Sequence, residues 1–330
     1  MTQSEFLQDL EAFLQEWQND EPTVWVQTSG STGTPKPMQV EKMRMEASAR
    51  LTCSFLGLKE GDSALLCMPL QYIAGKMVVV RSLVAGLNLI PVTPSGHPLK
   101  DMKEAPTIAP MIPMQGYNTL QVPEERAKLM EIKHLIIGGG AIDDSLANEL
   151  KSFPNHVWST YGMTETLSHI ALRRLNGTDA SDWYTPFDNV RIRLSEEGTL
   201  IIHAPNVCAE ELTTNDIAEI NEEGKFRILG RKDNTINSGG VKIQIEQVES
   251  RLKKHINTPF LISARKDAKF GEIVVLIYNK VANEENIRRI CESELPTYWV
   301  PKAYIAVVDH PMSGSGKPDR ASARRIANGK

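Results

Sequence analysis

Thr28-Ser29-Gly30-Ser31-Thr32-Gly33-Thr34-Pro35-Lys36 interrupts two β-rich runs, Thr23-Val24-Trp25-Val26-Gln27 before it and Met38-Gln39-Val40 after it. β-Branched residues broken by a cluster of Gly, Ser, Thr and Pro read as strand, loop, strand. The loop offers many backbone N–H groups, hydroxyls at Thr28, Ser29, Ser31 and Thr32, and one cation at Lys36, a set suited to polyphosphate oxygens. It is not the Gly-Lys-Ser/Thr loop that opens a helix. Thr34 and Pro35 separate Gly33 from Lys36, and β-type residues follow. By themselves these residues imply phosphate binding and leave the reaction open.

Outward from the loop, Phe6, Leu10, Phe13, Leu14 and Trp17 recur at helical spacing and predict an amphipathic helix over 3–18. Helices over 41–55, 75–85 and 145–153 alternate with short apolar runs at 64–68, 87–92 and 134–137, which predicts α/β layering. After Trp183 the texture changes to short strands with tight turns at Glu196-Glu197-Gly198 and Asn221-Glu222-Glu223-Gly224, a small antiparallel region. A third texture starts near Gly230, with a helix at 245–254, a strand at 272–278 and a helix at 284–294. The fold expected is α/β: a large N-terminal layered domain over 1–230, a hinge at 231–234 and a small mobile α+β domain over 235–330.

The chain has 330 residues, 41% hydrophobic and 24% charged, with a formal net charge of -4. No basic field for nucleic acid is present. Cys53, Cys67, Cys208 and Cys291 lack CxxC spacing, which argues against a zinc site or a disulfide framework. The acidic first twenty residues do not read as a signal peptide, and no run is long enough to span a membrane, so the expected location is the cytoplasm. Oligomeric state is not readable.

Further motifs follow in order. They are Gly138-Gly139-Gly140-Ala141, Tyr161-Gly162-Met163-Thr164-Glu165-Thr166, Asp216, Gly230-Arg231-Lys232-Asp233-Asn234, Gly239-Gly240, Pro296-Thr297-Tyr298-Trp299-Val300-Pro301 and Pro311-Met312-Ser313-Gly314-Ser315-Gly316-Lys317. With the loop at 28–36, this series resembles the adenylate-forming superfamily of acyl-CoA synthetases, luciferases and peptide-synthetase adenylation domains, in that family's order from residue 27 to 320.

The resemblance implies an ATP-dependent acid–thiol ligase that uses Mg²⁺ and coenzyme A. It places the phosphates on 28–36 and adenine and the acyl group near Gly138, Gly139, Gly140 and Ala141. Tyr161 and Gly162 lie at adenine, Thr164 at the α-phosphate and Glu165 on the metal, with Thr164, Glu165 and Lys317 catalytic. Asp216 and Arg231 take the ribose or phosphate, Asp233 is the hinge, and Gly239-Gly240 lie beside the pantetheine arm. The roles are chemically apt: a carboxylate suits a hard cation that bridges phosphates, and a mobile lysine relieves charge where carboxylate attacks phosphorus.

Two departures stand out. Only 27 residues precede the phosphate loop, so a compact form lacking part of one subdomain is expected. Gln71-Tyr72 stands where the family shows an aromatic followed by His, at the gate of the acyl pocket. The run from Tyr161 to Ala171 looks most like the o-succinylbenzoate-CoA ligases of menaquinone biosynthesis, whose acid carries a second carboxylate that needs a polar anchor. Tyr72, Gly138 and Ser168 are expected at the acid, with His169 and Arg173 as further anchor candidates. Another aryl- or acyl-CoA ligase, a carrier-protein-loading enzyme and a non-catalytic nucleotide-binding regulator are the alternatives.

Overall fold

The structure, a computed structural model, describes residues 1–27, 37–140, 142, 144–312 and 318–329. The expected phosphate loop Thr28–Lys36, Ala141 and Lys317 therefore lie outside the described residues. Two compact units are present: residues 1–193 with 201–212 and 220–227, and residues 194–200 and 213–219 with 228–330.

In the first unit, helix α1 (Gln3–Gln18) is capped by Thr2, whose hydroxyl accepts from Glu5 N while Glu5 accepts from Thr2 N. This reciprocal cap satisfies two otherwise orphaned donors. Phe6, Leu10 and Phe13 are its buried stripe. Strands β1 (Thr23–Gln27) and β2 (Pro37–Glu41) pair antiparallel, Gln27 opposite Pro37, so the segment 28–36 joins two paired strands. Next come α2 (Lys42–Leu56), β3 (Ser63–Leu66), α3 (Ile73–Ala85), β4 (Asn88–Pro91), β5 (Ile108–Met111), α4 (Pro113–Leu120), α5 (Pro123–Glu131), β6 (His134–Ile137), α6 (Asp144–Lys151), β7 (His156–Gly162), β8 (His169–Arg174) and β9 (Thr185–Pro186).

These strands form a seven-stranded sheet in the order β4-β3-β5-β6-β7-β8-β9. The pairs up to β7 are parallel; β8 and β9 run antiparallel. Leu65, Leu135, Ile137, Leu146, Leu150 and Phe153 share one core cluster, and each such side chain taken from water contributes about 1.5–3 kcal/mol.

A four-stranded sheet follows in the order β10 (Arg191–Leu194), β11 (Thr199–His203), β12 (Leu212–Ile220), β13 (Phe226–Arg231), and the boundary between the units runs through its strands. Further along the second unit lie β14 (Thr235–Ser238), β15 (Val241–Gln244), α7 (Ile245–Leu252), β16 (Phe260–Asp267), β17 (Gly271–Asn279), α8 (Glu284–Glu294), β18 (Ala303–Val307) and α9 (Arg320–Ala327). The period of two splits β16 and β17 cleanly. Ile262, Val274 and Leu276 face a core with Val248 and Ile287, whereas Leu261, Val275 and Ile277 face Ala323 and Ala327.

Candidate active site

A cavity of about 200 Å³ opens in the first unit where β5, β6 and β7 end. Crevices at the carboxyl ends of parallel strands are where layered α/β folds bind ligands. Gly138 and Gly139 form one wall, Tyr72, Ala74 and Arg81 of the α3 segment another, and Thr164, Ser168 and His169 a third. Of the expected residues, Tyr72, Gly138, Gly139, Gly162, Thr164 and Ser168 thus come together here. Gly140 follows in the same turn, and Tyr161 sits one residue before Gly162 with its ring edge-on to Phe226, 5.0 Å between centroids.

Two glycines are dictated by close approach. A Cβ on Gly138 would lie 2.4 Å from Thr160 Oγ1, and one on Gly162 would lie 2.3 Å from the Ser168 carbonyl oxygen. The second approach brings β7 against the end of its own hairpin turn, residues 163–168. Thr164–Thr166 form a single 3-10 turn there. Thr166, fully buried, accepts from Met163 N at 3.0 Å, and its oxygen lies 2.7 Å from the Ser168 carbonyl. Ser168 N donates to Thr166 O at 2.7 Å across Leu167, which stands at φ 63°. A leucine there costs on the order of 1–3 kcal/mol. Cys208 donates to the Glu165 carbonyl at 3.1 Å. The backbone under Glu165 is pinned while its side chain faces solvent. Among the described residues no group of three or more His, Cys, Asp or Glu could hold a metal on its own.

Arg81 is the residue that sequence reasoning missed. It is 4% exposed within a helix whose neighbours Val78, Val79 and Val80 are buried. Burial pulls its pKa down to about 10, so it remains a cation at neutral pH. One guanidinium nitrogen donates to Ser168 Oγ, and Nε has no partner. No carboxylate among the described residues pairs with it. A charged residue inside the apolar run 77–85 was the available signal, because such burial is costly without a counter-charge. Arg173, an anchor candidate from the sequence, instead pairs with Asp182 at 3.2 Å and lies over Tyr184. It does not line the cavity.

In the second unit, Arg231 lies 3.5 Å from Asp216 and 3.1 Å from Asp233. Gly239 and Gly240, at φ 60° and 86°, are the two central residues of the β14–β15 turn, flanked by the Ser238–Val241 pair. Positive φ at both positions is the signature of the hairpin turn that matches strand twist. Among the described residues no helix is long and apolar enough to cross a membrane.

Residues 3–208 match the family model described as AMP-binding enzyme. A 2-succinylbenzoate–CoA ligase of Bacillus mycoides is 27% identical, with 96% of this chain and 73% of that protein covered. An acyl-CoA synthetase (AMP-forming)/AMP-acid ligase II-like protein of Dyadobacter fermentans is 30% identical with a TM-score of 0.69, over 97% of this chain and 94% of that one. The o-succinylbenzoate CoA synthetase of Bacillus subtilis, in complex with its acyl-adenylate intermediate, shares the fold at a TM-score of 0.74 and 24% identity over 91% of this chain and 68% of that one. With the family model spanning more than half of its length and a 30%-identical relative matched almost end to end, the chain belongs to the AMP-binding enzyme family.

Proposed function

We propose that this chain is an ATP-dependent ligase that converts o-succinylbenzoate to its acyl-adenylate and passes the acyl group to coenzyme A. The observation that carries the choice of acid is Arg81, a buried guanidinium on the cavity wall with an unspent Nε–H donor and no carboxylate partner among the described residues. A monocarboxylate, whose single carboxylate must meet ATP, gives that cation nothing to bind. A dicarboxylate gives it one anion and the nucleotide the other, and a planar, bidentate donor set matches a carboxylate.

On this reading one carboxylate oxygen attacks the α-phosphorus of ATP and pyrophosphate leaves; the coenzyme A thiol then attacks the acyl carbon and AMP leaves. Thr28 to Lys36 hold the outgoing phosphates, Thr164 touches the α-phosphate, and Lys317 relieves the charge between the two approaching anions. Glu165 would hold Mg²⁺, which offsets phosphate charge. Asp216 and Arg231 hold the ribose, Asp233 is the hinge of a moving C-terminal domain, and Gly239-Gly240 let the pantetheine arm pass. The compartment is the cytoplasm, a reading favoured by four free cysteines.

The test is a panel of acids with ATP and Mg²⁺, scored by AMP release with and without coenzyme A. o-Succinylbenzoate should turn over fastest, and only with the thiol present. Preferred turnover of benzoates or fatty acids would remove the assignment.

A further inference from the structure

Ser168 Oγ accepts from Arg81 and lies 3.4 Å from His169 Nδ1. On the far side of the ring, His169 Nε2 lies 3.0 Å from Thr52 Oγ1 on α2. Thr52 is fully buried, and its hydroxyl reaches the Ser48 carbonyl one helical turn back, at 3.3 Å. Four side chains from α2, α3 and the β7–β8 hairpin therefore form one hydrogen-bonded series that runs from the cavity wall back to Thr52.

The direction of that series is fixed by its carbonyl end. A hydroxyl has one proton to give, and Thr52 gives its own to the Ser48 carbonyl, so Thr52 must accept from Nε2–H, and a neutral ring then accepts at Nδ1 from Ser168. Arg81 gives to Ser168, Ser168 to Nδ1, Nε2–H to Thr52, and Thr52 to Ser48. The series needs a neutral ring, and burial followed by the Arg81 charge holds the His169 pKa well below its ordinary value. Phe187 meets the ring edge-on at 5.6 Å and keeps it in place.

We propose that Thr52, which does not line the cavity, is a positioning residue for acid selection: it fixes the His169 tautomer and thereby holds Ser168 and Arg81 in the orientation that receives the distal carboxylate. The proposal rests on the dicarboxylate reading given above. It places a determinant of substrate choice in a helix interior, behind the residues that touch the acid.

The test uses Thr52→Val, which keeps the shape and removes the hydroxyl, and Thr52→Ser, which keeps the hydroxyl. Nitrogen-15 NMR of histidine-labelled protein, with the His169 signal assigned by its absence in His169→Gln, reads the tautomer without any substrate. Wild type and Thr52→Ser should show Nε2–H; Thr52→Val should lose that single state. With o-succinylbenzoate, Thr52→Val should raise KM about fivefold to tenfold, the weight of one net hydrogen bond. kcat, KM for ATP and the Thr52→Ser kinetics should stay near wild type. An Nδ1–H ring in wild type, or a Thr52→Val protein with unchanged tautomer, overturns the proposal. So does an equal loss in Thr52→Ser, or a fall confined to kcat. If the acid panel fails while the NMR result stands, the substrate reading is at fault and the relay is not.

Discussion

Arg81 exposes an opposition between stability and use. A cation 4% exposed that meets no counter-charge among the described residues is a cost carried by the fold. Replacing it by an apolar side chain of similar length should therefore stabilise the protein while disabling it. For Arg81→Met the expectation is a gain of about 1–3 kcal/mol in urea unfolding. The same variant should raise KM for o-succinylbenzoate by about 10- to 100-fold, the loss of a hydrogen bond to a charged group. Kinetics and unfolding on one preparation check both halves, and a variant that loses stability as well as affinity would place Arg81 in the scaffold. The sign in pH agrees. Its pKa in the fold, about 10, lies below the ordinary 12.5, so stability on this account rises as pH climbs through that window.

Elements read from the sequence hold where one period dominates: α1 occupies 3–18 and α8 occupies 284–294 as expected. β5 was not legible, because Ile108-Ala109-Pro110-Met111 puts a proline in the middle of a buried parallel strand, where the missing N–H argues against pairing. The fold accepts it with Pro110 opposite Ile136. At the cavity, Gly138, Gly139, Gly162 and Thr164 were legible because they stand in linear motifs that a single sequence displays. Arg81 and Thr52 were not, since their meaning arises only when α2 and α3 pack beside the hairpin. In the second unit, α9 is tied to α7 by Arg320, which grips Glu249 through both oxygens at 2.6 and 2.7 Å. The carboxylate also accepts from Ile262 N at 2.8 Å and is 5% exposed. Arg320→Met leaves that charge buried alone and should cost about 2–4 kcal/mol in urea unfolding, most of it recovered in Arg320→Met/Glu249→Met. Equal destabilisation of the single and double variants would show that α9 is held by packing.

At the scale of the whole molecule, we expect acid to act at the amino-terminal ends of two central strands of the large sheet, away from the cavity. His134 and His156 begin adjacent parallel strands, their rings 5.3 Å apart. His134 is buried and neither ring nitrogen has a partner. Burial first, then the charges of His156, Lys133 and Arg174, pull its pKa from 6.5 to about 4, with Asp62 opposing weakly. The unfolded chain therefore takes up this proton before the folded one. Stability falls as pH drops through 6.5 and the loss is complete near 4. His134→Leu should flatten that part of a stability–pH curve, measured by thermal unfolding between pH 4 and 7, and an unchanged slope would assign it elsewhere. The tight β7–β8 hairpin has a different kind of consequence. Its six residues, 163–168, carry both Glu165 and Ser168, with a strained leucine between them. Laboratory evolution toward new acids through 168 and 169 would drag Glu165, the carboxylate proposed for the metal, with it, so specificity and turnover would be lost together. The helix wall at Ala74 is separated from that turn in the chain and has no polar side chain to tie it there, so it is the place where a redesigned enzyme could change its diet and keep its pace.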